Sequence, residues 1–447
     1  METMLDTSAS ALATSATLRV EVERYTRGTI GPSTPMAGPL ADGGTICAGT
    51  PPGCWGPMIT PRFEGGHECS QPVYVEGAQV GDAVVLRIKR CEPTSLATSS
   101  GVMSFVEGRY NGDPFVAKKC SACGTEAPLS HLDGIGEEAV RCDVCGSEVN
   151  AFRFSNGYVI VLDKANNVSL TVDASIAQTL GRIPNEHALL PPNSEQHSIL
   201  ALARADIAGL AAHMQPFLGN IGTMPAADMP DSHNAGDFGG FLVGAPHRFA
   251  MTAETLQAAR TDGHMDTNTV RAGAILVCPV KVDGAGVYMG DMHAQQGNGE
   301  IAGHASDIAG IVEVQVDVLK RLPIDGPILF QRPDDLPPMA RPMTREQRAH
   351  VEALAAKYGQ KTIEENAPIT FIGSGPTLND ATRVGLQRAA DVTGLPYDEI
   401  LNRATIAGSI EISRLPGVVR VTFMCPLAVL DRIGLGQIAR EQYGIDR

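Results

Sequence analysis

The chain has 447 residues, a formal net charge of −15 and a hydrophobic content of 43%, as expected of a globular protein with one large domain or several smaller ones. The acidic balance argues against nucleic acid or an anionic membrane as a partner, because both bind basic surfaces. No apolar run reaches the length of a transmembrane helix, and the 48 glycines and 30 prolines favour a turn-rich β fold over a helical bundle.

Residues 1–18 are rich in serine, alanine and threonine and predict a flexible tail. They include Glu2 and Asp6 but no basic residue and no continuous apolar segment, so they lack the pattern of a secretory signal. Because the chain contains ten cysteines without such a signal, we expect a reducing, cytoplasmic environment in which thiols bind metal or are buried.

The segment that follows, residues 19–111, has the pattern of β-structure. Val84, Leu86 and Ile88 alternate with a second set of side chains and predict a strand with one apolar face. Residues 31–61 are rich in proline and glycine without periodicity, so they predict a long loop that reaches over a pocket.

Two groups of potential metal ligands occur in the first third of the chain. Cys54, His67 and Cys69 fit no standard zinc spacing, and we interpret them as unrelated reduced thiols and a histidine. The second group is a pair of C-x-x-C motifs, each followed by glycine and separated by 18 residues: Cys120, Cys123, Cys142 and Cys145.

Each of these C-x-x-C-G motifs forms a tight turn, and two such turns supply four thiolates for a tetrahedral zinc ion. A pair of redox dithiols is the alternative, but it requires a C-x-x-C at the start of a helix, which neither motif has. The pattern predicts a zinc ribbon. Its zinc would have four protein ligands, so its role would be structural and not catalytic.

Residues 290–300 hold the densest set of catalytic residue types. Asp291 and His293 are two positions apart, so on an extended backbone their side chains point to the same side. This pair suits a divalent metal, and Glu300 is the candidate base beside it. The alternative is a surface loop in which aspartate and glycine only build turns.

Two upstream segments, residues 215–223 and 262–266, add to this motif. An apolar strand-like run separates residues 262–266 from residues 290–300, so Asp266 could return to the same pocket. Together the three segments resemble the acetamidase/formamidase family, whose members carry R-P-F-x-G-x-I-G, then G-N-M-D, then G-D-G-H-A-x-Q-G-D-G-E. The chain departs from this pattern at four positions: Gln215, His264, Met292 and Asn298.

The resemblance implies a metal-dependent hydrolase that converts a small linear amide, similar to formamide or acetamide, into ammonia and a carboxylate. A divalent metal, with zinc as the expected ion, would be held by Asp266, Asp291 and His293; it would polarise the carbonyl and lower the pKa of a bound water. The resemblance also implies a homo-oligomer.

We assign Glu300 as the acid/base that takes the proton of water and delivers it to the leaving nitrogen. Asn220 and His264 would orient the carbonyl or the amide. Two alternatives remain open at this point. One is a bulkier or cyclic amide, admitted by an extra loop or hairpin at residues 231–259. The other is a non-catalytic ligand-binding protein whose ribbon recruits a partner.

Helices are predicted late in the chain. Thr344 begins a capping box, Thr377 begins a second helix and Pro396 a third. We therefore predict a mainly β, sandwich-like fold with C-terminal helices packed against it, in the α+β class. Compared with the family pattern, residues 19–111 and 151–447 form the body of the protein. Residues 112–150 form a zinc-ribbon insertion, and residues 1–18 form a tail.

Overall fold

The structure, a computed structural model, describes residues 15–445. Within this range it contains twenty strands and nine α-helices, so the α+β class with a predominance of β-structure is confirmed. The strands are β1 (Thr17–Val22), β2 (Thr29–Ile30), β3 (Ala37–Thr50), β4 (Val73–Val75), β5 (Ala83–Pro93), β6 (Ala97–Phe105), β7 (Ser130–Leu132), β8 (Val140–Cys142), β9 (Phe152–Asp163), β10 (Val168–Thr171), β11 (Ala211–His213), β12 (Phe217–Gly222), β13 (Met229–Pro230), β14 (Ile275–Pro279), β15 (Tyr288–His293), β16 (Gly310–Leu319), β17 (Ile328–Phe330), β18 (Asn366–Ser374), β19 (Gly408–Arg414) and β20 (Val418–Pro426). The helices are α1 (Trp55–Met58), α2 (Ala174–Gly181), α3 (Pro184–Ala188), α4 (Ala253–Ala259), α5 (Arg345–Tyr358), α6 (Leu378–Thr393), α7 (Tyr397–Ala407), α8 (Leu427–Arg432) and α9 (Gly436–Tyr443).

A ten-stranded mixed sheet forms the centre of the molecule. Its order is β1-β3-β16-β5-β14-β17-β18-β20-β19, with β4 also paired to β3. Strands β1 and β4 run parallel to β3, and the other neighbours are antiparallel. A second sheet has the order β11-β10-β9-β6, and β12 pairs with β15 in a separate two-stranded layer. The central sheet includes residues 37–50 as strand β3. The prediction of a long loop over residues 31–61 is therefore wrong for this part of the segment.

The two faces of the central sheet have different partners. Val84, Leu86 and Ile88 share one face, as predicted, and are buried in a core that includes Leu218 of β12 and Met289 of β15. The opposite face packs against α6, α8 and α9 in a second core. Because side chains alternate along a strand, β5 contributes to both cores and fixes the β12-β15 layer on one side of the sheet.

The predicted helix starts are confirmed. The Thr344 hydroxyl accepts from the backbone N–H of Gln347, whose side chain accepts from the N–H of Thr344, which is the predicted capping box. The Thr377 hydroxyl caps α6 by accepting from the backbone N–H of Asp380, and α7 follows Pro396. Helix α5 buries none of its side chains in the described chain.

The four cysteines of the predicted ribbon lie together. Their sulfur atoms are all within 4.8 Å of one another, and β7 and β8 form the hairpin between the two turns. Cys120 and Cys142 are buried, whereas Cys123 and Cys145 are exposed. All ten cysteines of the chain are unpaired, so the clustered thiols are available to a metal ion.

The predicted tail, residues 1–18, lies largely outside the described residues. Strand β1 begins at Thr17, so the last two residues of that segment belong to a strand, and Thr17 pairs with Leu40 of β3. Among residues 15–445, no helix combines the length and the apolar composition needed to cross a membrane.

Candidate metal centre and active site

The site is built on the antiparallel pair β12-β15. In its register Phe217 pairs with His293 and Asn220 with Gly290, which leaves Asp291 near Gly219. Residues 290–293 are therefore strand, and the loop predicted for residues 290–300 begins only after His293. The strand is a better host for metal ligands than a loop, because backbone hydrogen bonds fix where its side chains point.

Three acidic residues of the predicted site have a left-handed backbone. Their φ angles are 44° for Asp266, 53° for Asp291 and 42° for Glu300. Residues other than glycine rarely adopt this region. Each instance costs about 1–3 kcal/mol, so it persists only where the surrounding structure enforces it. Such residues concentrate at active sites and ligand clamps, so this conformation supports a functional role for all three.

The carboxylates pack directly on bare backbone. A Cβ atom added at Gly219 would collide with the carboxylates of Asp266 and Asp291, and one added at Gly53 would collide with that of Asp291. Glycine is therefore required at both positions because the acidic side chains occupy the space that any other residue would fill.

Two groups of potential ligands share one carboxylate. Asp266, Asp291 and His293 form the predicted group, with all ligand atoms within 4.8 Å of one another. His67, His264 and Asp291 form a second group by the same measure. The separations between these side chains are 3.1 Å for His293 Nε2 to Asp291 Oδ1, 3.2 Å for His67 Nε2 to Asp291 Oδ2 and 3.0 Å for His264 Nε2 to Asp266 Oδ2.

Several polar atoms of this cluster are better placed to bind a cation than to accept a hydrogen bond. Asp266 Oδ1 and Asp291 Oδ1 are buried and accept no hydrogen bond from any of residues 15–445. Asp291 Oδ1 lies 3.1 Å from His293 Nε2, but the two groups are not in hydrogen-bond geometry. Buried unpaired carboxylate oxygens are costly, and coordination of a metal ion offsets that cost. The donor set of carboxylates and imidazoles fits zinc and tolerates manganese or magnesium.

The histidines are oriented from behind. His67 Nδ1 lies 2.9 Å from Asp231 Oδ1, which leaves Nε2 facing the cluster. His264 Nδ1 donates to the backbone carbonyl of Ser232 at 2.6 Å, which also leaves Nε2 free as an acceptor. A carboxylate or carbonyl behind a histidine is the usual arrangement around a metal, because it fixes the tautomer and the ring orientation.

A buried arginine, Arg414, forms part of the cavity wall. Arg414 donates through both Nε and Nη2 to the carboxylate of Asp237, at 3.0 and 2.8 Å, and through Nη1 to Asp266 Oδ2 at 2.5 Å. Only 1% of the Arg414 side chain is exposed. Its positive charge lies between two carboxylates and fixes the position of Asp266.

The electrostatic environment separates Glu300 from the other carboxylates. Burial would raise the pKa of Asp291, but the nearby His67 and His293 lower it to about 2. Burial is likewise overcome at Asp266, whose pKa is held well below its usual range by His264 and Arg414. Burial and the charge of Asp266 raise the pKa of Glu300 well above its usual range. Carboxyl groups with pKa values driven apart in this way serve as anionic ligand and as acid/base.

The predicted residues meet around a small cavity, which offers about 30 Å³ to the centres of water-sized molecules. Since one water needs about 10–15 Å³ by this measure, two or three waters fit. Its lining is Cys54, Gly66, His67, Phe115, Ser232, Phe238, His264, Asp266, Asp291, His293, Glu300, Gly303 and Arg414. Of the residues predicted for the active site, only Asn220 is missing from this lining. Its amide lies 3.3 Å from His67 Nδ1.

A larger cavity of about 550 Å³ lies elsewhere, along α5 and α7. Its two acidic residues, Glu364 and Glu399, both pair with Arg403, at 2.7 and 2.8 Å. None of the potential metal-binding clusters found in residues 15–445 involves its lining. Size therefore does not identify the active site, and the chemistry favours the smaller cavity.

Sequence reasoning missed four residues of the site. Asp237 and Arg414 form the buried ion pair described above, and Asp307 Oδ1 lies 2.8 Å from His293 Nε2. These three occur in no recognisable spacing. His67 offered a weak signal through Cys54 and Cys69, although we interpret these from their spacing as unrelated to it. In the structure the Cys69 sulfur groups with His67 and Asp231 within 4.8 Å, and Cys54 lines the same cavity as His67. Residues 231–259 form 3₁₀ turns and α4, and they supply Ser232 and Phe238 to the cavity.

Comparison with known proteins agrees with the sequence motifs. The family model of the acetamidase/formamidase family matches residues 56–239 and 244–431. A predicted acetamidase/formamidase from Thermoanaerobacter tengcongensis superposes with a TM-score of 0.51 at 16% identity, covering 93% of this chain and 98% of its own. An acetamidase from Yersinia enterocolitica gives 0.51 at 16% identity, covering 92% of each chain. No curated protein sequence matches the chain.

The structural likeness establishes a shared fold over nearly the whole length of the described chain. The family match spans most of the sequence and includes the three motifs around Asn220, Asp266 and Asp291. The chain thus belongs to the acetamidase/formamidase family and is an amidohydrolase that acts on the C–N bond of linear amides.

Proposed function

We propose that this protein is a metal-dependent hydrolase of a small aliphatic amide, which it converts with water into a carboxylate and ammonia. The observation that carries the proposal is the convergence of Asp266, Asp291 and His293 on one buried cavity that also contains Glu300. Buried acidic groups at this density require positive charge, and the cavity leaves room for little more than the reacting groups.

The metal would be held by Asp266, Asp291 and His293, and His67 and His264 are close enough to complete its coordination. When bound, a divalent ion at this position supplies Lewis acidity, which polarises the amide carbonyl and lowers the pKa of water. Zinc is the ion that this set of oxygen and nitrogen donors fits best.

Glu300 acts as the general acid/base. Amide hydrolysis requires removal of a proton from the attacking water and donation of a proton to the departing nitrogen. The Glu300 carboxyl is buried, and its Oε2 accepts no hydrogen bond in the described chain, so this oxygen is available to both proton transfers. A pKa raised above the ordinary value makes the carboxylate a stronger base and lets it carry the proton to nitrogen.

The remaining residues position these groups. His264, held at Nδ1 by the Ser232 carbonyl, faces the cavity and orients the amide. Asn220 acts from behind, because its amide contacts His67 and not the cavity. Arg414 fixes Asp266 and adds positive charge to the wall of the cavity in which the carbonyl oxygen would become negative during the reaction.

The size of the cavity favours a small linear substrate over the bulkier or cyclic amide that remained open from the sequence. Space for the centres of two or three water-sized molecules accommodates a formamide- or acetamide-sized substrate. Phe115 and Phe238 border this space, and the ring of Phe238 lies 5.8 Å from that of His264, measured between centroids.

We also propose that Cys120, Cys123, Cys142 and Cys145 hold a structural zinc ion. The clustering of their sulfur atoms within 4.8 Å supports this assignment. Four thiolates complete a tetrahedral site and leave no position for substrate, so this ion stabilises the ribbon. The homo-oligomer implied by the family resemblance stays a prediction, which light scattering on the purified protein would test.

The test of the function is ammonium release from a panel of small amides by the wild type and Glu300→Gln. The substitution preserves shape and removes the proton acceptor, so turnover should fall by about 10²–10⁴ while metal content stays unchanged. Asp291→Asn should lose metal and activity together. Glu352→Gln, on the exposed surface of α5, is the matched control and should behave as wild type.

Full turnover by Glu300→Gln on the best amide would exclude Glu300 as the acid/base. Loss of the active-site metal in that variant would identify Glu300 as a ligand instead. If the wild type releases no ammonium from any amide of the panel while its metal content is complete, the proposed substrate class is wrong.

A further inference from the structure

Phe115 is the one residue of the 112–150 segment that lines the active-site cavity. Its ring lies 6.3 Å from that of Phe238 and 5.4 Å from that of Phe152, measured between centroids. Phe115 and Phe238 form an aromatic border to a cavity whose other lining includes Asp266 and Glu300. An amide has one apolar end, its acyl group, so this border is where that group would lie.

The segment around Phe115 is held rigidly. Its backbone N–H donates to Asp113 Oδ1 at 2.9 Å, and its carbonyl accepts from the buried Lys118 Nζ at 3.0 Å. The other oxygen of Asp113 lies 2.7 Å from His233 Nε2. His233 precedes the loop that carries Phe238, so both aromatic side chains depend on this buried contact for their relative position.

The same segment leads directly into the first cysteine turn. The carbonyl of Lys118 accepts from the N–H of Ala127, and the N–H of Lys119 donates to the carbonyl of Arg109. Cys120 follows at once, and its N–H is bonded to the carbonyl of Thr125. Movement of the first turn would therefore be transmitted to Phe115 through a short, hydrogen-bonded stretch of backbone.

The ribbon is also packed against a second wall of the site. Cys120 and Cys142 belong to one buried core with Trp55 and Phe152. The backbone N–H of Trp55 donates to Asp307 Oδ2 at 3.1 Å. The cysteine cluster thus supports both the aromatic border and a carboxylate next to His293.

The ribbon has few other means of holding its shape. Its hairpin consists of two strands of three residues each, β7 and β8. Small modules of this kind depend on metal binding for their folding, because they bury too little apolar surface by themselves. Loss of the ion bound by the four cysteines would free the turn at Cys120. The stretch of backbone that connects Phe115 to Cys120 would then become mobile as well.

We propose that Phe115 is a specificity-determining residue that limits the substrate to amides with a very short acyl chain, and that metal bound by the four cysteines keeps Phe115 in this position. The inference rests on the proposed function. It gives the ribbon a role in substrate selection, although the ribbon's ion touches no reacting group.

The first experiment measures kcat/KM for formamide, acetamide, propionamide and butyramide with the wild type, Phe115→Leu and Phe115→Ala. Each added methylene in a hydrophobic pocket changes discrimination by about 10-fold or more. Phe115→Ala should therefore raise the ratio of butyramide to acetamide at least about 10-fold, with Phe115→Leu between it and the wild type. Phe241→Ala removes an exposed aromatic ring that contacts Phe238 outside the cavity, and it should leave the ratio unchanged.

The second experiment tests the ribbon. Cys145→Ser should lose one zinc per chain by elemental analysis and shift the butyramide to acetamide ratio in the same direction as Phe115→Ala. Trp55 is the single tryptophan of the chain and is fully buried, so its emission should shift to longer wavelength when the ribbon loosens. Val144→Ala, at an exposed neighbouring position, should retain zinc, emission and selectivity.

An unchanged ratio in Phe115→Ala, with acetamide still hydrolysed, overturns the role of Phe115. Unchanged selectivity and Trp55 emission in zinc-depleted Cys145→Ser overturn the role of the ribbon. A wild type that hydrolyses none of the four amides overturns the proposed function, and this inference with it, so the failures are distinguishable.

Discussion

Replacement of Arg414 by methionine tests whether this buried cation holds the site together. The side chain donates to both oxygens of Asp237, to Asp266 and to the backbone carbonyl of His264. Methionine retains part of the volume but removes every donor. Asp237 then keeps its negative charge in the interior, where it is 5% exposed. Asp266 is less affected, because His264 and the proposed metal remain beside it.

Removal of one partner from a buried ion pair costs about 3–5 kcal/mol, since the other charge is left uncompensated. Unfolding entropy for a chain of this length is about 0.9 kcal/mol per kelvin, so the melting temperature should fall by about 3–5 °C at a matched scan rate. Arg414→Lys keeps the charge but loses the two-pronged contact with Asp237. Its melting temperature should therefore lie between those of the wild type and Arg414→Met.

Arg383→Met is the matched control, because this arginine is exposed and pairs with Asp380 on the surface of α6. It should change stability by less than about 0.5 kcal/mol. Adding Asp237→Asn to Arg414→Met should recover stability, because it removes the charge left behind. A methionine variant as stable as the surface control, or no recovery in the double variant, would refute the reasoning.

Two further predictions concern the metals and acid stability. A mild chelator should remove the ion near Asp291 and abolish hydrolysis, whereas zinc in the cysteine cluster should remain until a thiol reagent is added. Elemental analysis after each step measures the metal content. Simultaneous release of both ions would contradict this prediction. Burial and the charge of His293 lower the pKa of His304 to about 4, below its unfolded value of 6.5. The unfolded chain therefore binds the proton first, and stability is lost as pH falls from about 6.5 towards 4. Wild type should lose about 2–3 kcal/mol relative to His304→Gln between pH 7 and 4.5 by urea unfolding, and equal losses would show that His304 is not responsible.

The sequence predicted the parts of the fold whose cause is local. The capping box at Thr344 and the alternation from Val84 to Ile88 depend on neighbours within a few positions, and both are confirmed. The prediction of a loop over residues 37–50 is wrong because Pro39 and four glycines hide the period of β3, a strand that is held by pairing with β1 and β16. That pairing depends on residues far away in the chain.

The same distinction applies to the site. Asp291, His293 and Glu300 lie within one short motif, so the sequence could suggest them together. Arg414 comes from the end of β19, and its position next to Asp266 results from the whole topology of the sheet. Asn220 was assigned to the substrate from its motif, but the direction of its side chain depends on the register of β12 with β15.

The left-handed backbone at Asp266, Asp291 and Glu300 affects how mutational scans of this enzyme should be designed. Alanine at these positions combines two perturbations, since it removes a carboxylate and places a residue poorly suited to positive φ in the chain. Asparagine tolerates this conformation better than most residues, so Asp→Asn at Asp266 or Asp291 removes the charge without adding backbone strain. Glycine also adopts positive φ without strain, so it removes the whole side chain and leaves the backbone relaxed. Comparing alanine with glycine at each of the three positions therefore shows how much of the alanine effect comes from the backbone.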